Sequence, residues 1–442
     1  MNLVQALRIN SESKVSLVGA GGKTSALTRL SLEWASDSLV ATTTHLGLNQ
    51  LSPFPVHKIW LPGKPVDEKL SVTTVITGGD SDGRLIGGIS QDLWPDLEKA
   101  AVNSSMPLFI ESDGSKQRSI KAPASHEPAI PPWVNQVVVC VGLSVVGSPM
   151  NEETVHRPEV FSKLTGLAFG EPITLNAIER MLVHSMGGLK NIPENARRTV
   201  LLNQIDVLTD RTGIHSIEKQ LLKKFDAVVT ASLKNADEKD FNTEVFRMNE
   251  RIAGIILAAG RSHRMGSPKA LLDWRGVPFV RACVLTAISS GLDPVYVIVG
   301  EDGDRISEVI RDLPVEVVEN DKWYDGQSTS IKVGITHLPP WIGGAVFLLV
   351  DQPQIPVPLI RKLLAEHSST LGSIIYPISG GRRANPVLFD RTTFSALLKI
   401  QGDVGGRAIF SKFPLYSIPW FDESILIDVD TPEDYQRLIK HP

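Results

Sequence analysis

The sequence predicts an α/β protein of two domains, each a largely parallel sheet covered by helices. Three observations carry this reading. The chain has 442 residues, more than one ordinary hydrophobic core accommodates, so two domains are the default. Apolar, β-rich runs alternate with helical patterns along its whole length, and their polar residues fall at the ends. Strands of that kind are buried on both faces, as in a parallel sheet between helix layers. Finally, one arrangement occurs twice: an apolar strand, a loop of glycines and cations, then a helix. It is seen in "VSLVGAGGKTSALTRL" from Val15 and in "GIILAAGRSHRMGSPKALL" from Gly254.

In chain order, the first half offers the strands "KVSLVGA", "SLVATTT", "PLFIESD", "NQVVVCVGL", "RTVLLNQID" and "DAVVTAS". The second offers "IAGIILAAG", "PVYVIVG", "VEVVEN", "AVFLLVDQP" and "SIIYPIS". Between them lies the polar stretch "SLKNADEKDFNTEVFRMNERIAG", and a linker is expected near Glu244 to Glu250. The predicted domains are residues 1–246 and 251–442. No residue-level repeat relates them, so the chain reads as a fusion of unlike domains.

Composition narrows the function classes. The net charge of -4 gives no bulk attraction to nucleic acid or an anionic membrane. Cys140 and Cys283, both in apolar runs, allow neither a disulfide framework nor a cysteine metal site, which suits a reducing cytosol. The longest apolar runs, such as "VVVCVGLSVVG", are too short to span a bilayer, and the N-terminus lacks a signal-peptide pattern. A soluble cytoplasmic protein acting on small molecules is expected.

The first loop, "SLVGAGGKTS", carries the Gly-Lys-Thr of a phosphate loop but is shorter than the standard pattern, with Leu17 where a glycine is wanted. Gly19, Gly21 and Gly22 would let the backbone approach a nucleotide, Lys23 would reach phosphates and Thr24 would ligate Mg²⁺. Glu111 and Asp113 end a strand where a metal-side carboxylate belongs. "LLNQID" loosely matches the Asn-Lys-x-Asp base-recognition element of GTPases, with Gln204 in place of the lysine. The plainer alternative is a glycine-rich turn with no nucleotide.

In the second loop, Arg264 and Lys269 supply charge for a triphosphate, and "KALLDWRG" signals a helical segment after Pro268. Asp351 ends the strand "AVFLLV", where a parallel sheet places its ligands. Asp428 and Asp430 close another strand and, two apart, point to one face. A hard divalent cation such as Mg²⁺ takes one or two such carboxylates plus phosphate oxygens. The alternative is that "DTPED" caps a helix, one aspartate being the cap and the other the ligand. "GQSTS", with Gly326 and Ser328, either holds the acceptor or simply starts a helix.

These second-half segments, with "ENDKWYDGQSTSIKVGI", "LLVDQPQI", "GRRANPVLF", "GDVGGRAIF" and "IDVDTPEDY", resemble the nucleotidyltransferases that include molybdenum-cofactor cytidylyl- and guanylyltransferases. The resemblance covers nearly all of residues 251–442. It implies a Rossmann-like, GT-A-like fold, with Arg264, Lys269 and Asp351 catalytic, and Leu257, Ala258, Ala259, Gly260 and Gly266 at the nucleotide. It further implies Gly326, Ser328 and Asn385 at the acceptor, and Mg²⁺ on Asp351 with Asp430 favoured over Asp428. Arg382, Arg383 and Arg407 are candidates for the acceptor phosphate or pterin. Leu257-Ala258-Ala259-Gly260 looks like the cytidylyl version of the loop. One departure stands out: Ala384-Asn385-Pro386 occupies the place where the family often has Gly-His-Pro.

The first half, through "VGAGGKTS", "ATTTH", "ESDGSKQRSIKAPASHEP", "VHRPE", "GGLK" and "LLNQID", resembles the selenium-dependent hydroxylase accessory proteins of the YqeC type. This implies handling of a molybdenum or selenium cofactor, ATP or GTP on a P-loop-like domain, and a molybdenum hydroxylase as partner. His45, His126 and His156 recur in the matching segments and are site candidates. Together the resemblances imply an enzyme that converts CTP and molybdopterin into the cytosine dinucleotide cofactor and pyrophosphate. The rivals are guanylyl transfer, transfer to a sugar phosphate, and a cofactor carrier or insertion chaperone.

Overall fold

In the computed structural model, which describes residues 1–79, 83, 85–233, 244–260 and 267–440, the first apolar run is strand β1 (Lys14–Gly19), near the centre of a nine-stranded sheet. The others, in chain order, are β2 (Leu39–Thr42), β3 (Val56–Ile59), β4 (Thr74–Thr77), β5 (Leu108–Glu111), β6 (Gln136–Gly142), β7 (Arg197–Asn203), β8 (Ala227–Ser232) and β9 (Glu244–Glu250). Their order across the sheet is β9-β8-β7-β6-β1-β5-β2-β4-β3. Every neighbouring pair from β3 to β8 is parallel. Strands β2, β4, β5, β6 and β8 are buried at every residue, as apolar runs without alternation require. The edge strand β3 alternates instead. Because β5 and β6 flank β1 on opposite sides, the connections diverge there and leave a crevice at the carboxyl ends of the strands.

The chain divides into two compact units, Met1–Asn249 and Glu250–Pro442. The stretch expected to be a linker is not one: Glu244–Glu250 is β9, the edge strand beside β8. Val245, Met248 and Glu250 are buried while Glu244 and Phe246 are exposed, so burial does not keep a period of two along this strand. The Arg247 guanidinium lies 2.9 Å from the buried Glu218 carboxylate. A charged strand thus docks because it neutralises an acid that the first unit has already buried.

The second unit is built on β10 (Ile252–Ala258), β11 (Val295–Val299), β12 (Glu316–Glu319), β13 (Gly344–Leu349), β14 (Ile374–Ser379), β15 (Arg382–Arg383), β16 (Val387–Asp390) and β17 (Leu415–Pro419). The order is β12-β11-β10-β13-β16-β14-β15, with β17 beside β14. Strands β12, β11, β10 and β13 are parallel, and β16 enters antiparallel. Here β10 is the switch strand, with β11 on one side and β13 on the other. Leu257 and Leu349 are register partners, so the loops after β10 and β13 start side by side.

Two local expectations are corrected. The helical segment expected directly after Pro268 is delayed: Lys269–Leu271 is one 3-10 turn, Asp273–Trp274 pairs with Val277–Pro278 across a tight turn, and the helix begins at Phe279. Arg275 and Gly276, at φ 53° and 88°, adopt the left-handed conformation that such a two-residue turn needs. Asp428 and Asp430 do not close a strand either. They lie on extended chain after the 3-10 turn Glu423–Leu426, with Val429 buried between them.

Candidate functional sites

In the first unit, β1 passes through Gly19–Gly22 into helix α1 (Lys23–Glu33). Gly19, Gly21 and Gly22 have φ of 92°, 74° and 126°. A Cβ would fall 2.3 Å from the Cys140 carbonyl oxygen at Gly19, 2.1 Å from the Gly142 nitrogen at Gly21, and 2.2 Å from Asn203 Nδ2 at Gly22. The glycines are therefore demanded by packing against the ends of β6 and β7. Three loop amides are already used: Gly19 N–H donates to Asp113 Oδ2 (3.0 Å), Ala20 to the Cys140 carbonyl (2.9 Å) and Gly21 to that of Arg118 (3.2 Å). The first turn of α1 has no side-chain cap.

Lys23, 3% exposed, donates to the Gly19 carbonyl at 2.6 Å. Its Nζ lies 3.2 Å from Asp113 Oδ1 and 4.0 Å from Glu111 Oε1. Lys121 Nζ is 2.9 Å from both Asp113 Oδ2 and Glu127 Oε2. Arg157 grips Glu127 with two bonds of 2.7 and 3.1 Å. Cations and carboxylates thus alternate along a buried chain. Burial alone would strip the Lys23 proton, but Asp113 and Glu111 hold it on. Burial also raises Glu127, yet bonds from Arg157 and Lys121 hold it down at about 2. Burial raises Glu111 and pushes the nearby Cys140 thiol up to about 12. The Thr24 hydroxyl donates to Glu111 Oε2 at 3.3 Å, which brings together the two groups expected at a metal.

Of the three histidines, His156 is half-buried beside the network, and burial with the Arg157 and Lys121 charges lowers it to about 4. His45 and His126 are exposed. Lys121, Glu127 and Arg157 were not singled out from the sequence, because Arg157 reaches the other two only once strand Ile120–Lys121 pairs with Val155–His156.

In the second unit, Asp351 follows β13 by two residues, and Val429 N–H donates to its carbonyl at 3.2 Å. That bond draws the Asp428–Asp430 segment to the strand end. Lys269 Nζ pairs with Asp430 and lies 3.9 Å from Asp351 Oδ2. Asp351 Oδ1 is buried without a hydrogen-bond partner. Burial, with Asp428 and Asp430 adding repulsion against the Lys269 charge, lifts Asp351 to about 6. Burial and Asp430 raise Asp428 as well. Gln352, not anticipated, is 2% exposed; its Nε2 donates to Asp428 Oδ1 at 2.6 Å, while its Oε1 is buried without a partner.

Neither aspartate is a helix cap. Thr431 caps Pro432–Ile439 and Asp434 completes the reciprocal box, so Asp428 and Asp430 are left for other work. Unpartnered carboxylate and amide oxygens suit a hard divalent cation. The three carboxylates do not form a ready cage. Among the described residues, the three metal-type donors within 4.8 Å of one another are Glu250, His367 and Asp390, all buried. Asp390 pairs with Gly344 at the start of β13, so that trio sits at the far end of the strand from Asp351.

Ala258 and Ala259 are buried and Gly260 is exposed after β10. At Gly300 a Cβ would fall 2.7 Å from the Trp323 ring and 3.0 Å from the Ala259 carbonyl, so the end of β11 supports this loop closely. Arg264 and Gly266 lie outside the described residues. Gly326, at φ 104°, heads helix α2 (Gln327–Thr336), and a Cβ there would fall 2.7 Å from the Asp403 backbone. Ser328 N–H donates to the Gly402 carbonyl at 3.3 Å, and the Thr329 hydroxyl to that of Gly326 at 2.8 Å. "GQSTS" is thus a helix start packed on the "GDVGGR" loop, whose Arg407 is a charge neighbour of Asp428. Arg383 stacks over Tyr376 and Phe410 at 5.4 and 5.6 Å, and Arg382 is exposed. Asn385 is half-buried before β16.

Residues 254–415 match the MobA-like NTP transferase domain, and residues 15–159 match the YqeC protein family. The chain is 32% identical over 195 residues to YqeC of Escherichia coli (strain K12), covering 43% of this chain and 75% of that protein. It is 31% identical over 199 residues to nicotine blue oxidoreductase of Paenarthrobacter nicotinovorans, covering 42% and 96%. Identity is 24% over 183 residues to the molybdenum cofactor cytidylyltransferase of Escherichia coli (strain K12), covering 41% and 92%. It is 30% over 135 residues to the "Probable molybdenum cofactor guanylyltransferase" of Bacillus cytotoxicus, covering 30% and 64%.

Proposed function

Since the chain belongs to the YqeC family through its first unit and to the MobA-like NTP transferases through its second, we propose that the second unit moves CMP from CTP to the phosphate of molybdopterin. The acceptor phosphate oxygen attacks the α-phosphorus, the bond to the bridging oxygen breaks, and pyrophosphate leaves. The supporting observation is the carboxylate group at the end of β13, beside the switch strand, with Asp351 Oδ1 orphaned and Lys269 adjacent. Asp351 and Asp430 would hold Mg²⁺, with Asp428 steadied by Gln352; the ion would neutralise charge on the phosphates. Lys269, released from the carboxylates, would bind the triphosphate. The Leu257–Gly260 backbone would read the base, and the α2 start with Arg407 would orient the acceptor, so that catalysis is chiefly positioning. The first unit, with Lys23, Thr24 and Glu111 at the head of α1, would bind ATP or GTP and assist maturation of a molybdenum hydroxylase.

The test is pyrophosphate release by the purified full chain from CTP and molybdopterin. Release only with GTP would replace cytidylyl by guanylyl transfer. No release with any nucleoside triphosphate, together with binding of an apo-hydroxylase, would establish the chaperone reading instead.

A further inference from the structure

The buried trio at the far end of β13 takes no part in the proposed reaction, and we infer that Glu250, His367 and Asp390 form a structural zinc site. Their donor atoms all lie within 4.8 Å of one another. His367 and Asp390 are each 1% exposed, and Glu250 is 7% exposed. Strand β13, six residues long, separates them from the Asp351 end by about 20 Å. An ion here would hold the fold and would not touch the phosphates.

The three donors come from distant segments. Glu250 opens the second unit just ahead of β10, His367 lies in the last turn of helix α3 (Val357–Thr370), and Asp390 ends β16. Backbone bonds fix the approach: Gly343 N–H donates to the Arg251 carbonyl at 3.0 Å, and Arg391 N–H to that of Gly343 at 2.9 Å. Glycine at 343 makes the room, since a Cβ there would fall 2.4 Å from Glu250 Oε2. The Glu250 carboxylate thus rests against the backbone just ahead of β13.

Asp390 is oriented as a ligand would be. Thr392 donates its N–H (2.9 Å) and its hydroxyl (2.7 Å) to Oδ1, and Oδ2 faces His367 Nε2 at 2.8 Å. Outer bonds of this kind hold ligating carboxylates in place. A Zn²⁺ ion with bonds of about 2.0–2.2 Å spaces tetrahedral ligands about 3.4 Å apart. The His367–Asp390 separation is 2.8 Å and none in the trio exceeds 4.8 Å, so side-chain turns alone would seat the ion. Within the trio two carboxylates meet one imidazole. A proton on the ring offsets one negative charge, whereas a divalent ion offsets both. One imidazole nitrogen with carboxylate oxygens suits Zn²⁺ and not Mg²⁺ or Ca²⁺, which take oxygen ligands. Glu250, binding through both oxygens, would close the fourth position as a structural site requires.

The experiment titrates Zn²⁺ into the metal-stripped full chain against a chromophoric chelator, with thermal melts in parallel. Millimolar Mg²⁺ is present throughout to fill oxygen-only sites. One Zn²⁺ is expected to bind with a Kd below ~1 μM and to raise the melting temperature by several degrees. Asp351→Asn should retain this zinc. His367→Gln should weaken it by at least ~100-fold, more than the loss of an outer partner costs. Should His367→Gln fail to fold, Glu250→Gln keeps the His367–Asp390 pair and should weaken zinc by at least ~10-fold, with the zinc-free melting temperature held. Wild-type zinc binding no tighter than that of Glu250→Gln would overturn the site and leave a buried hydrogen-bonded pair only. Zinc that Asp351→Asn abolishes and Glu250→Gln retains would overturn it too, by placing the ion at the other end of β13.

Discussion

In the first unit Glu111, Asp113 and Glu127 face Lys23, Lys121 and Arg157. In the second, Asp351, Asp428 and Asp430 share Lys269, with the Arg407 charge near Asp428. The first set is nearly sealed from solvent and neutralised by its own chain. The second is partly open, and among the described residues it holds more carboxylates than cations, with Asp430 half exposed. Loops of the same description therefore lead to opposite electrostatics. A self-neutralised network holds a fold together and must be rearranged to admit a ligand. A set whose buried carboxylate oxygen has no partner would gain from a foreign cation.

The largest expected effect tests the second site. Asp351→Asn keeps the shape and removes the charge, so pyrophosphate release should fall by ~10³ or more. Its melting temperature at pH 8 should hold or rise. With its carboxyl at about 6 against a usual 3.8, the fold favours the protonated form, so ionisation penalises stability above about pH 6 and not below about pH 4. Near-normal turnover at saturating Mg²⁺ would remove Asp351 from the site.

Next comes the neutralised site. Lys23→Ala leaves Asp113 and Glu111 buried with one cation fewer, and urea melts should show a loss of about 3–5 kcal/mol. Lys269→Ala breaks a pair whose acid is half in water and should cost under ~1 kcal/mol. Equal losses would mean that the two networks do not differ as described.

Acid should then separate the units with opposite signs. His156, at about 4 against a usual 6.5, is held neutral, so its contribution is whole above pH 6.5 and drains as pH falls toward 4. Glu127, at about 2 against 4.5, contributes above pH 4.5 and loses that contribution toward pH 2. Between pH 7 and 4 the first unit should lose ~2 kcal/mol through His156, allowing for its partial exposure. Asp351 moves the second unit the other way. His156→Gln should flatten the first unit's profile; an unchanged slope would acquit this histidine.

The smallest effect concerns the base at the second loop. A Cβ at Ala259 leaves less room beside a two-ring base, so CTP should exceed GTP by at least ~10-fold in kcat/KM, about 1.4 kcal/mol. Ala259→Gly should narrow the gap without inverting it. Paired assays with molybdopterin settle the matter, and a wild-type preference for GTP would sink the cytidylyl assignment alone.

The parallel sheets were readable because uninterrupted apolar runs such as "VVVCVGL" suit strands buried on both faces. The first glycine loop was readable because glycines and a lysine directly follow the run that forms β1. Strand β9 was not, since its buried residues keep no period of two and its charge partner, Glu218, lies far back in the chain. A fragment begun at residue 251 would also lose Glu250, which is buried beside His367 and Asp390. The acid network of the first unit and the amide of Gln352 were unreadable for the same reason: they are products of folding, with partners that share no local spacing.

The three crowded glycines of the first loop have a consequence for inheritance. Their places are held by the Cys140 carbonyl, the Gly142 nitrogen and the Asn203 amide, all parts of the protein itself. A descendant that had given up its ligand would still be obliged to keep them in order to fold. In such a lineage the signature would outlive the activity, and the first trace of the loss would surface at exposed positions, where folding demands little.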